Sequence, residues 1–227
     1  MTNTKTIARN TGWYSIENIL DAAVGLTTSI AINRYLGPEK NGYIVYVSMI
    51  AAMVSGLGGL GIPATTRKYM AEFIGMGDRG TARYIYIRTL LLQAGVATLA
   101  TGGFLLWVLR DAQGEYKLAS ALLVLSIWPS MVNSISAQAN AAAEDFAANL
   151  PASVTSALIY LIAITAMVVF HWGVAGVGLA LLSRRAIDFL LRFFPTLKRV
   201  LGWKSTQIHP PGLSRRMMPF ALQSVAS

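Results

Sequence analysis

The chain has 227 residues, 54% of them hydrophobic and only 13% charged, about half the charged share of a soluble domain; at a mean hydropathy of +0.51 it cannot cover itself in polar surface. It has no cysteine, which excludes disulfides, thiolate catalysis and cysteine-ligated zinc or iron-sulfur centres. A net charge of +9 would point to nucleic acid in a soluble protein, but here it has to be read against the apolar segments first.

A helix crossing the hydrocarbon core needs roughly 20 residues. Windows of that size predict an all-α, polytopic bundle of about six transmembrane spans. Residues 1–12 form a basic lead segment, read as retained because no small-residue cleavage site follows. The first span, 13–33, ends at Arg34-Tyr35-Leu36-Gly37-Pro38, and the second, 43–62, at Pro63, since glycine and proline both interrupt a helical ladder. The connection 64–87 is long and basic; Tyr69, Met70, Phe73 and Ile74 share one side of it. That predicts a short helix lying on the inner interface, closed by Gly75-Met76-Gly77-Asp78.

The third and fourth spans, 88–109 and 118–142, flank a polar turn at Asp111 to Glu115, and Pro129 should kink the fourth. The fifth, 150–170, and sixth, 174–194, are joined by the tight hairpin Phe170-His171-Trp172-Gly173. Trp13, Tyr14, Trp107, Trp128, Trp172 and Trp203 suit an aromatic belt near the span ends. Residues 195–227 read as a cytoplasmic linker leading to the start of a seventh helix at Met217-Met218-Pro219-Phe220, as in a truncated chain.

The basic residues set the orientation. With the N-terminus inside, Lys5, Arg9, Arg67, Lys68, Arg79, Arg83, Arg88, Arg192, Lys198, Arg199, Lys204, Arg215 and Arg216 are cytoplasmic, against Arg34, Lys40, Arg110 and Lys117 outside. The positive excess is thus a topological address, both termini are expected in the cytoplasm, and a nucleic-acid partner loses its support. One inner loop, 143–149, breaks the pattern with Glu144 and Asp145 and no basic residue.

Three stretches of this chain resemble one family. Tyr35-Leu36-Gly37-Pro38-Glu39-Lys40-Asn41-Gly42-Tyr43 at the first helix junction is similar to a conserved-looking junction of polysaccharide-biosynthesis membrane proteins. So is Gly58 to Glu72, with its Gly-Leu-Gly and Arg67. Trp172-Gly173-Val174-Ala175-Gly176-Val177-Gly178 resembles that family's glycine-rich sixth helix. These are the O-antigen and teichoic-acid type flippases of the multidrug/oligosaccharidyl-lipid/polysaccharide exporter superfamily. The resemblance implies movement of a polyprenyl-diphosphate-linked saccharide across the cytoplasmic membrane by alternating access between two six-helix lobes. It also implies a second lobe absent from this chain, and a polymerase and glycosyltransferases as partners.

Ionised groups inside a span cost on the order of 2.5–3.5 kcal/mol to insert, which makes them the first site candidates. Arg34, Arg184 and Arg185 could hold the diphosphate, because guanidinium groups bind phosphate through two parallel hydrogen bonds; interfacial anchoring, or pairing of Arg184 with Asp188, is the structural alternative. Glu17 and Asp21, four residues apart on one helical face, together with Asp188, are ion-coupling candidates, or are simply solvated near the inner end. Asn133 and Gln138 could line a sugar cavity or bind neighbouring helices. Gly56, Gly58, Gly59, Gly61, Gly173, Gly176 and Gly178 read as close-packing positions.

No Walker lysine loop, Ser-His-Asp set or metal-ligand spacing is present; neither a cofactor nor an enzymatic activity is expected. The competing readings are a cation-coupled drug exporter, which should have an acid-lined cavity, and a non-transporting membrane scaffold, which should have no central groove.

Overall fold

A computed structural model of the chain describes residues 4–204. The expected seventh helix lies outside these residues. Every element found among them is helical: α1 (Thr4–Gly59), α2 (Ile62–Gly75), α3 (Arg79–Asp111), α4 (Glu115–Leu125), α5 (Ile127–Ala142), a 3-10 turn (Phe146–Ala148), α6 (Leu150–Val169) and α7 (Gly173–Leu201).

The helix breaks follow the local chemistry. α1 is two limbs joined at Gly37, whose φ of 79° and ψ of 170° are non-helical; that backbone state suits glycine, and Pro38 supplies no amide hydrogen to carry the ladder across. The first two expected spans are these limbs. Pro63 opens α2 instead of closing the previous helix, because the first helical turn tolerates a missing N–H. α2 ends where expected, and Asp78 caps α3 by accepting from the Thr81 amide at 3.0 Å. The fourth span is interrupted at Ser126, three residues ahead of Pro129, whose ring crowds the carbonyl one turn back. There the Ser126 hydroxyl bonds the Leu123 carbonyl at 2.6 Å, the kind of local competition that loosens a helix. Pro195 does not end α7, which runs on to Leu201.

Four helical stretches are long and apolar enough to cross a membrane: Thr11–Gly59, Arg79–Asp111, Glu115–Ala142 and Phe146–Val169. α7, the sixth expected span, falls outside this set because Arg184, Arg185, Asp188 and Arg192 interrupt its apolar face. Large side chains such as Leu99 (78% exposed), Leu26 and Ile162 project outward from the bundle. Exposed apolar side chains on three separate helices are what a lipid-facing surface requires and what a water-facing one penalises.

The main core joins Val24, Ile32, Val47, Phe104, Leu123, Val132, Ile164 and Val177 across α1, α3, α4, α5, α6 and α7. A second cluster packs Tyr69 and Met70 of α2 on Ile85 and Tyr86 of α3 and on Ile135 and Ala139 of α5. The apolar face expected to rest on lipid is therefore spent on protein, with Phe73 and Ile74 at its edge. Arg67 and Lys68 stay exposed.

Glycines divide by role. A methyl at Gly58 would come within 2.8 Å of Met131 Cε, and one at Gly178 within 2.7 Å of the Ala119 carbonyl oxygen; at Gly176 it would strike Met167. These three permit the close approach of α1 to α5, α7 to α4 and α7 to α6. Gly56 and Gly59 meet nothing within 4 Å, so the packing role expected of them is not needed. Trp128 also departs from expectation: its indole donates to Thr98 at 3.0 Å and its ring meets Phe189 edge-on, tying α3, α5 and α7 together away from any span end.

Candidate functional site: a charged seam and a polar groove

Polar groups collect in two places within the bundle. The first is a seam between the first limb of α1, α5, α6 and α7. Arg192, 8% exposed, lies at its centre, 2.9 Å from Asp188, 3.2 Å from Glu17 and 2.8 Å from the Ser153 hydroxyl. Ser153 in turn donates to Glu17, and the Asn133 amide donates to Asp188 at 2.6 Å. One turn along, Arg184 binds Asp21 at 2.6 Å and stands over the Tyr160 ring, 5.2 Å from its centroid.

Helix geometry explains which partners form. Asp188 takes Arg192 rather than Arg184, correcting the expected pair; an acid N-terminal to its base at four residues' spacing is the better orientation on a helix. Arg184 is thereby left to reach across to Asp21. Glu17 and Asp21 do share a face, but each has its own arginine. Arg192, counted on the sequence as an inner-loop charge, is buried in the seam. The small cavity there, about 30 Å³, is lined by Arg184, Arg185 and Arg192 with Asp21 and Asp188, and Glu17 adds a third carboxylate through Arg192. A balanced, hydrogen-bonded set is the form in which ionised groups survive desolvation.

A further pair settles the loop that broke the charge pattern. Arg199 of α7 donates to Asp145 and to the Asn140 side chain. Asn140 also donates to Asn149 at 2.7 Å and accepts from Thr196 at 3.0 Å. The positive charge missing from loop 143–149 is thus supplied by the end of α7.

The second place is a groove formed by the second limb of α1 with α2, α3 and α5, continuing toward α6 and α7. It comprises two cavities of about 790 and 690 Å³ that share Ser55 and Ser130 on their walls. Ser126, Ser130, Ser134 and Gln138, spaced every four residues, put one polar stripe of α5 along it. Among the described residues the charged ones lining it are Arg67 and Lys68 in the larger part and Arg185 in the smaller, with no carboxylate on either. Arg185 faces both the groove and the seam.

The larger cavity contains an anomaly. Gln93 of α3 is 0% exposed, and neither its side-chain nitrogen nor its oxygen has a partner. A buried amide left unpaired costs about 1–3 kcal/mol.

The candidates named from the sequence separate accordingly. Glu17, Asp21, Asp188, Arg184 and Asn133 belong to the seam, Gln138 to the groove and Arg185 to both. Arg34 is exposed and lines none of these cavities. Arg192, Ser153, Arg199, Arg67 and Gln93 were not singled out as site residues. Gln93 had a legible signal, as the lone amide in an apolar span where polar groups are expensive. Among the described residues no cluster of potential metal ligands occurs.

No protein-family model, curated protein or solved structure matches the chain.

Proposed function

We propose that the chain is a membrane-embedded lobe of a flippase that moves a polyprenyl-linked oligosaccharide across the cytoplasmic membrane for surface-polysaccharide assembly. On this reading the limbs of α1, α3, α4–α5, α6 and α7 make six crossings, and both ends of the lobe are cytoplasmic. α7 can cross despite its charges because Arg184 and Arg192 pair with Asp21 and Glu17 of α1, and Arg192 also pairs with Asp188 and bonds the Ser153 hydroxyl of α6.

The observation that carries the proposal is the lining of the groove. Serines and a glutamine give hydroxyl and amide partners for a saccharide, while Arg67, Lys68 and Arg185 are its charged residues. An anionic headgroup with sugar hydroxyls needs those two features together. A cation-coupled drug exporter would place a carboxylate on the wall of its cavity, and the acids here are consumed by arginines in the seam. A scaffold subunit would have no use for a groove that carries a stripe of hydroxyl and amide side chains on a mostly apolar wall.

The direct test is to delete the gene and measure lipid-linked saccharide on the inner leaflet. Accumulation there, relieved by the wild-type gene, supports the flippase. Normal export in a strain without a redundant transporter contradicts it.

A further inference from the structure

We propose that residues 48–59 of α1 form a strap, fastened at both ends and slack between them, that bows outward and opens the side of the groove to the bilayer. The proposal concerns how the groove is reached, so it depends on α1 crossing the membrane and not on which ligand the groove takes.

The second limb of α1 is a wall one helix thick. Tyr46, Met53 and Leu57 project outward and are exposed, while Ser48, Ala52, Ser55 and Gly59 line the groove. Each set keeps to one side of the helix, and the offset of two residues from Tyr46 to Ser48 turns them about 200° apart. Displacing this single helix therefore joins the groove to lipid.

The limb is fastened unevenly. At its Gly37 end Lys40 pairs with Glu115 at 2.7 Å, the Tyr43 and Ser120 hydroxyls share a hydrogen bond at 3.0 Å, and Ile44 and Val47 are buried in the core. From Ser48 to Leu60 no residue is buried, and Ile50, Ala51 and Val54 reach only the edge of the core. Beyond that stretch the chain is fixed again, because Ile62, Thr65 and Thr66 of α2 are buried.

Between these fastenings the helix is weak. Gly56, Gly58 and Gly59 fall within one turn, and glycine is the poorest helix former after proline. The Ser55 hydroxyl bonds the Ala51 carbonyl at 2.8 Å, a contact that bends helices. The joint to α2 consists of two consecutive residues of positive φ, Leu60 at 45° and Gly61 at 65°. Leucine disfavours that state, so the joint stores strain that movement of the strap can release. One close approach holds the strap inward, at Gly58, where a methyl would come within 2.8 Å of Met131 Cε on α5.

The test is double electron–electron resonance on the protein in lipid nanodiscs, with spin labels on introduced cysteines. One pair joins Leu57→Cys in the strap to Ile162→Cys on α6, and the control pair joins Tyr46→Cys to Ile162→Cys; all three positions are exposed. The Leu57 pair should show two distance populations and the Tyr46 pair one. Gly58→Leu, which wedges a side chain against Met131, should raise the displaced population of the Leu57 pair by about threefold or more and leave the Tyr46 pair unchanged. Equal spreads in the two pairs, or a Leu57 distribution that Gly58→Leu leaves as it was, would overturn the proposal. The comparison of the two pairs in the otherwise wild-type chain stands even if Gly58→Leu folds poorly.

Opening to lipid has its own readout, bimane on Ser55→Cys with a phospholipid brominated along its chains as quencher. Gly58→Leu should roughly double the quenching, and equal quenching with and without it would also overturn the proposal. These outcomes are separable from the export reading. Saccharide accumulation in the deletion strain with a rigid limb sinks only the strap, and a moving strap in a protein whose deletion leaves export normal sinks only the flippase.

Discussion

The seam and the groove both carry polar side chains inside an apolar bundle, yet those of the seam are ion pairs and those of the groove lie on walls that are mostly apolar. In the seam Glu17, Asp21, Asp188, Arg184 and Arg192 each belong to an ion pair, while Arg192 Nε and Asn133 Oδ1 are buried without a hydrogen-bond partner. In the groove Gln93 has no partner for either amide atom, and the lining charges are of one sign. The ion pairs of the seam hold α7 against the first limb of α1. Intramembrane charge alone therefore does not mark a binding site, and what decides is whether the protein itself has used up the charge.

The contrast predicts opposite consequences for substitutions in the two regions. The largest effect belongs to Arg192→Leu, which strands Glu17 and Asp188 in a buried position. Removing one member of such a set costs about 3–5 kcal/mol, so the variant should be lost from the membrane or melt far below wild type in detergent. Joint replacement of Glu17, Asp188 and Arg192 by apolar residues should restore much of that stability, as a shape-matched apolar set avoids the desolvation penalty. Failure of the triple variant to recover would mean that the seam contributes more than mutual neutralisation.

Next in size is the glycine pair. Gly178→Ala drives a methyl to 2.7 Å from the Ala119 carbonyl oxygen, and overpacking of that kind costs about 1–3 kcal/mol. Gly56→Ala meets nothing within 4 Å and should leave the melting temperature within error. Gln93→Leu should keep or raise stability, because it removes an unpaired buried amide. A Gln93→Leu protein that unfolds would place Gln93 with the structural residues and erase the contrast. The smallest effect is expected at the Arg199–Asp145 pair, about a third to two-fifths exposed at its two side chains. There Asp145→Asn should shift stability by about 1 kcal/mol or less, read from thermal unfolding.

Much of the fold was legible because the decisive signals are local. Gly37-Pro38 splits α1, Gly77-Asp78 separates α2 from α3, and Phe170 to Gly173 makes the hairpin between α6 and α7. All of these are statements about which residues can carry a helical hydrogen bond. The sites were less legible because their partners are remote: Glu17 and Arg192 are 175 residues apart, and no periodicity connects them. Arg192 looked like a topological charge because it sits near a predicted span end, and only the packing of α7 against α1 and α6 shows it buried. Pairing rules misled for Asp188, which had arginines four residues away on either side and took the one oriented favourably. Gln138 was found because it shares a helix with other amides, whereas Gln93, alone among apolar neighbours, was passed over.

The most direct measurement is single-cysteine labelling, which the cysteine-free chain makes clean. Cysteines at Ser130, Ser134 and Gln138 should react with a membrane-impermeant thiol reagent in proteoliposomes. Cysteines at Leu99 and Ile162 should stay unreactive in the bilayer. Labelling of the two outward positions with the groove positions silent would contradict the account, since it would put water where lipid is claimed and close the groove to water.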